Sequence, residues 1–132
     1  MSEDCLANSA DLLLWLQRQQ AANCFESFTA RILYKRFQRD PAAVGVQYGF
    51  SGPTEWLGGK PTYEETIWLI IKDGPARGLR GYLRRSRMLG TSVPEKVTTY
   101  LSLKIGDRIS LYLSELHCRD DKPLIALTMT HP

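Results

Sequence analysis

Gly106-Asp107-Arg108-Ile109-Ser110-Leu111-Tyr112-Leu113-Ser114-Glu115-Leu116, then the turn Arg119-Asp120-Asp121-Lys122-Pro123, then Ile125-Ala126-Leu127-Thr128-Met129-Thr130, is the stretch that decides the fold class. Ile109, Leu111 and Leu113 alternate with Ser110, Tyr112 and Ser114, and Ile125, Leu127 and Met129 alternate with Ala126, Thr128 and Thr130. A period of two is the mark of a strand with one apolar and one polar face. Gly106 releases the first run, and the polar turn leads into the second.

Working back toward the N-terminus, the same period recurs in Phe28, Ala30, Ile32 and Tyr34 against Thr29, Arg31, Leu33 and Lys35. Thr66-Ile67-Trp68-Leu69-Ile70-Ile71 is a second strand, closed by a turn at Asp73-Gly74-Pro75, and Gly81 to Ser86 is a short third. Val93 to Leu101, with Pro94 at its start, reads as a brief helical segment. Residues 9–23 read as an N-terminal helix: Asn8 or Ser9 caps it, Asp11 favours its first turn, and Leu12, Trp15, Leu16 and Ala22 share one face. Between the first two strands, residues 38–63 form a long insertion. Pro41 to Pro61 holds five of the ten glycines and three of the seven prolines, with Tyr48, Phe50 and Trp56 among them. This is a loop with room for a short hairpin, and loops of such length in compact domains are commonly functional.

The expectation is one mainly β domain over residues 1–132: a helix at 9–23 and a five-stranded Greek-key barrel of the OB-fold type over 27–130, interrupted by the insertion at 38–63. A barrel closes to hide its strand edges, and an OB barrel offers strands two and three with the nearby loops as its binding face.

The composition excludes several classes. With 43% hydrophobic and 23% charged residues the chain is of globular type. The longest apolar run, Leu12 to Leu16, is far short of a membrane span. Glu3 and Asp4 argue against a secretory signal. Cys5, Cys24 and Cys118 are odd in number and lack C-x-x-C spacing, so free thiols in a reducing, cytoplasmic setting are expected, with no membrane association. His117 beside Cys118 has only His131 as a further imidazole, too little for a metal site, and no cofactor motif is present. Nor is there a Ser-His-Asp order or H-E-x-x-H; the neighbouring carboxylates Glu64-Glu65 and Asp120-Asp121 point to opposite faces or to solvent, so the expectation is a protein without catalytic residues.

The net charge of +3 conceals polarity along the chain. Arg77, Arg80, Arg84, Arg85, Arg87 and Lys96 lie between Asp73 and Thr98 with Glu95 as the one acid, and Arg31, Lys35, Arg36 and Arg39 lie between Glu26 and Asp40 with none. The remainder is therefore acidic on balance. Concentrated cations attract polyanions, and eleven arginines against six lysines favour groups that bind phosphate bidentately and stack on bases.

Gly81-Tyr82-Leu83-Arg84-Arg85-Ser86, Val93-Pro94-Glu95-Lys96-Val97-Thr98-Thr99-Tyr100-Leu101, Ile105-Gly106-Asp107-Arg108-Ile109 and the segment from Leu113 to Thr128 follow one another in an order that resembles the RNA-binding domain repeated in ribosomal protein S-one. The likeness is greatest to the copy at the end of polynucleotide phosphorylase, and covers residues 64–130 with 27–36 as the first strand. The resemblance implies a five-stranded OB barrel that binds RNA without catalysis. It places Trp68 at the family's base-stacking aromatic, Arg84 where the family has an RNA-contacting histidine, Gly106 at the structural glycine of strand four, and His117 at the rim of the site. Residues 38–63 depart from it as an insertion, and Ala30 stands where a glycine is usual.

On both grounds the expected activity is binding of single-stranded RNA, whose unstacked bases lie on aromatic rings while arginines follow the backbone. The candidate residues are Trp68, Tyr34 and Tyr112 for stacking, and Lys35, Arg80, Arg84, Arg85, Arg87 and His117 for polar contact; a surface ion pair with Glu95 is the alternative for Arg84. A second expectation is a protein-interaction module that docks on a ribosomal or RNA-processing assembly through Tyr48, Phe50 and Trp56.

Overall fold

The structure is a computed structural model and describes residues 10–41, 46–49, 52–55, 63–119 and 122–132. Strand β1 (Phe28–Arg39) pairs antiparallel on one side with β4 (Tyr63–Ile71) and, through its first residues, with β6 (Arg108–Arg119) on the other. Strand β5 (Arg80–Arg84) pairs antiparallel with β4, and β7 (Lys122–Thr128) pairs antiparallel with β6. A short parallel seam, Gly81 opposite Ile125 and Tyr82 opposite Ala126, joins β5 to β7 and closes the five strands in a ring of order β1-β4-β5-β7-β6. Helix α1 (Ala10–Ala22) precedes the ring, and α2 (Val93–Ser102) connects β5 to β6.

The core follows from the alternation read in the sequence. Ala30, Ile32, Ile67, Leu69, Ile71, Leu83, Leu111, Leu113, Ile125 and Leu127 are all at most 1% exposed and fill the ring's interior. Ile109, expected inward, is only partly buried at the ring's end. Two irregularities re-aim strands, as bulges do: the register shifts between Ile32 and Tyr34 in β1, leaving Leu33 as the extra residue, and between Leu113 and Glu115 in β6, leaving Ser114.

Helix α1 adds Leu12 and Leu16 to the core. Its buried face continues to Gln19, not to Ala22, which is exposed: the helix ends there, with Asn23 in a left-handed conformation (φ 49°) that terminates it. The Gln19 side chain holds the chain as it leaves, accepting from the Glu26 N–H at 2.9 Å. Helix α2 is capped by Ser92, whose hydroxyl accepts from the Glu95 N–H, while the Glu95 carboxylate reaches back to the Thr91 N–H and hydroxyl.

The expected third strand through Ser86 stops at Arg84, and Arg85–Arg87 make a 3₁₀ turn. Glu64 accepts the Ser86 N–H at 2.9 Å and turns the chain off the sheet, so that Met88 can bury itself in the core. The last strand ends at Thr128 rather than Thr130, because the Met129 N–H turns to the Arg87 carbonyl. Within the expected insertion, β1 runs on to Arg39, and strands β2 (Val46–Gly49) and β3 (Gly52–Glu55) pair as a hairpin. Phe50 and Trp56 lie outside the described residues, as do Asn8, Ser9, Asp120 and Asp121.

Gly81 sits in the parallel seam, where an added Cβ would stand 2.7 Å from Leu127 Cδ1 and 3.2 Å from the Ile125 carbonyl oxygen. Gly81→Val therefore overpacks the place where the ring closes, and is expected to cost about 1–3 kcal/mol, read as a lowered midpoint in urea denaturation with an unchanged slope.

Candidate functional site

The bulge at Leu33 decides which residues share the outside of the ring. Beyond it, Tyr34, Arg36 and Gln38 stand opposite Trp68, Thr66 and Glu64 of β4, while Arg31 before it stands opposite Ile70. Strand β5 continues these rows: Arg80 beside Ile70, Tyr82 beside Trp68, Arg84 beside Thr66. The outer face is thus an aromatic row, Tyr34–Trp68–Tyr82, with an arginine-bearing row on each side.

The rings of the row touch. Tyr34 and Trp68 are 6.2 Å apart between centroids and 23° from parallel; Trp68 and Tyr82 are 5.7 Å apart and inclined at 48°. The indole Nε1 donates to Gln38 Oε1 at 2.9 Å, which sets the orientation of a half-buried Trp68. Exposure falls along the row, from 36% at Tyr34 to 4% at Tyr82. Arg31, Arg36 and Arg80 flank it as exposed side chains. Such a surface can receive a flat ring on Tyr34 and Trp68 and phosphate oxygens on the guanidinium groups.

Arg84 belongs to this face by register, yet its guanidinium is 6% exposed and committed to acids: Nε lies 2.8 Å from Glu64 Oε1 and Nη1 3.9 Å from Asp40 Oδ1. Where a direct RNA contact was expected of it, its guanidinium is thus engaged in a buried pair with Glu64. Its alternative partner, Glu95, is occupied at the α2 cap. Arg85 turns to the other side of β4 and pairs with Glu65 at 3.2 Å. Its Nε also lies 3.8 Å from Glu64 Oε2, so Arg85 bridges the two adjacent carboxylates while Arg84 pairs with Glu64.

Lys35 also departs from the expected surface. The residue after Tyr34 points the opposite way, and its Nζ donates to the Tyr100 carbonyl at 2.7 Å while lying 4.6 Å from the centre of that ring. It caps the last turn of α2, where a cation suits the helix dipole. Tyr112 stands on β6 with its ring 5.4 Å from that of His131, outside the aromatic row. His117 is 9% exposed and is bonded to Glu115 Oε2 at 2.8 Å. Arg87 is exposed beyond the end of β5. Of the expected residues, the fold therefore gathers Tyr34, Trp68 and Arg80 on one surface. It adds Arg31 and Arg36 from the first basic cluster, and Tyr82, which the sequence reading left out of the site. Tyr82 was detectable, since it lies two residues before Arg84 and so on the same side of a strand; grouping both Arg31 and Arg36 with Tyr34 requires the bulge.

Glu64 accepts hydrogen bonds from Arg84 and from both the N–H and the hydroxyl of Ser86. Burial pushes its carboxyl upward, but hydrogen bonds from Arg84 and Ser86, with the nearby positive charge, outweigh this and hold it below the ordinary value of 4.5. Among the described residues, no His, Cys, Asp and Glu side chains gather to hold a metal ion, and no helix is long and apolar enough to cross a membrane. Comparison with known proteins found no matching family model, no matching curated protein and no matching solved structure.

Removing one partner of a buried ion pair leaves the other charge uncompensated, so Arg84→Ala is expected to destabilise the fold by about 3–5 kcal/mol, measured by denaturant titration. The acid response follows from the sign of the Glu64 shift. A carboxyl lowered in the folded state contributes stability above its unfolded value, and the contribution is lost as pH falls through the folded one. Glu64→Gln should flatten the fall of thermal midpoint with pH below about 4.5; an unchanged acid limb would assign that fall to other groups.

Proposed function

We propose that this chain is a non-catalytic RNA-binding domain of the OB type, with single-stranded RNA held on the outer surface of β1, β4 and β5. Counting only the strands of the ring, their order is first, second, third, fifth, fourth, with a helix between third and fourth. That order supports the OB Greek-key reading and the likeness to the S-one domain. The observation that carries the proposal is the Tyr34–Trp68–Tyr82 row between rows bearing Arg31, Arg36 and Arg80.

Physical chemistry favours an unpaired strand. A base in a duplex hides its faces against its neighbours, whereas an unstacked base can lie on Tyr34 or Trp68 at a gain of about 1–3 kcal/mol each. Exposed guanidinium groups on both sides of the rings can then follow the sugar-phosphate chain. Arg84 supports the surface from beside the row: paired with Glu64, it ties β5 to β4 next to the rings.

A second reading draws on Phe37 and Tyr63, which are 64% and 58% exposed with ring centroids 5.9 Å apart. This pair, at the far end of the β1–β4 ribbon, suits docking on a larger protein assembly. Salt separates the two.

Titration of the full chain against single-stranded RNA, duplex RNA and single-stranded DNA at two salt concentrations should show tightest binding to single strands, weakening steeply as salt rises. Arg31→Ala and Arg36→Ala should each lower the slope of log affinity against log salt by about 0.7, the increment for one contact to a single strand. Trp68→Ala should lose about 1–3 kcal/mol of affinity. Binding indifferent to salt and to Trp68 would refute the proposal, and affinity for a protein partner lost with Phe37→Ala would favour the second reading.

A further inference from the structure

The aromatic row does not end on a flat surface. Across the parallel seam, the neighbour of Tyr82 is Ala126, and the neighbour of Ala126 in β6 is Glu115. A methyl group following three rings leaves space, and the surface sinks there into a pocket of about 150 Å³ bordered by Tyr82, Ser86, Arg87, Ser114, Glu115 and Ala126.

The polar groups of this pocket form a pattern. Ser86 Oγ gives its proton to Glu64 and Ser114 Oγ gives its own to the Ala126 carbonyl, so both hydroxyls offer lone pairs to a ligand. The Glu115 carboxylate keeps acceptor capacity beyond its single bond to His117. Asp40 and Glu64 add carboxylates to the lining, each close to the Arg84 guanidinium. The donors are the Arg84 and Arg87 guanidinium groups and the Tyr82 hydroxyl, and of the two arginines Arg87 is the exposed one. Tyr82 is 4% exposed, and no described residue hydrogen-bonds its hydroxyl. Burial, then the charges of Asp40 and Glu115, raise its pKa, so the phenol keeps its proton at neutral pH. A phenol that no described residue hydrogen-bonds, in an otherwise buried side chain, is costly unless water or a ligand meets it.

We propose that this pocket takes one pyrimidine base of a strand already stacked on Trp68, and that it selects cytosine. The proposal rests on the RNA-binding reading above. Size argues for a single ring, since a cavity of ~150 Å³ is of the kind that holds one benzene molecule. Polarity argues for cytosine: its amine meets Glu115, a carboxylate being the usual partner of that group, while its ring nitrogen and carbonyl meet Tyr82 and Arg87. Uracil presents a carbonyl where cytosine presents the amine, and would set one acceptor against another. Purines carry a second ring.

The test is a fluorescence titration of the full chain with oligocytidylate, oligouridylate and oligoadenylate of one length, at neutral pH and one salt concentration. Oligocytidylate should bind about tenfold more tightly than the other two. Glu115→Gln, at a position 56% exposed in its side chain, and Tyr82→Phe, which keeps the ring, should each bring the ratio of oligocytidylate to oligouridylate affinity close to one. Equal binding of all three oligomers would overturn the pocket and leave the RNA-binding reading standing, as would a preference for oligocytidylate that survives both substitutions. No binding to any oligomer would overturn both.

Discussion

A strand that closes a ring must serve two neighbours, and β1 does so with a single surplus residue. Its first residues are shared between β4 and β6, with Ala30 and Ile32 filling the interior; its later residues run out along β4 alone. Strict alternation over the whole length would have sent Tyr34 inward after Ile32 and Lys35 outward. The bulge at Leu33 reverses the sides. Tyr34 joins Trp68 outside, and Lys35 turns the other way to the Tyr100 carbonyl in the last turn of α2. Local twist at a bulge is also what lets a sheet bend into closure, so one irregularity shapes the ring and composes its outer surface.

Charge on that surface is divided by burial. Arginines at the margins, such as Arg31, Arg36 and Arg80, remain in water and keep their ability to meet an anion. Arg84 has given up its hydration, and the desolvation cost is offset by Glu64 at 2.8 Å and Asp40 at 3.9 Å. Counting cations along the chain therefore overstates what the face presents. Arg85 and Lys35 are likewise engaged, one with Glu65 and the other with the Tyr100 carbonyl.

What was legible in the sequence was periodicity. The alternation in β6 and β7, the apolar run of β4 and the helix over 10–22 reflect a single choice, which side is dry, and the core residues express it directly. Trp68 was expected on the outer face through the OB reading and the resemblance over residues 64–130, since the unbroken apolar run Ile67 to Ile71 does not itself say which side is dry. Bulges leave no such trace: nothing in Ile32-Leu33-Tyr34 or Leu113-Ser114-Glu115 marks the extra residue, since it arises from the geometry of ring closure. Partner choice was equally hidden. Glu64 and Arg84 are 20 residues apart, and only the β4–β5 register brings them together. Glu95, nearer in sequence to Arg84, is instead consumed by the cap of its own helix.

The ring is made of two halves of unequal independence. One is the meander of β1, β4 and β5; the other is the hairpin of β6 and β7. They meet along two junctions, β1 against β6 and β5 against β7. The three stacked rings lie wholly within the meander. The hollow beside them borrows Ser114, Glu115 and Ala126 from the hairpin and does not exist until the halves dock. Platform and hollow, though adjacent, thus differ in what they depend on: the rings need the meander alone, the hollow needs both halves docked. Any loosening between the halves would erase the second while sparing the first.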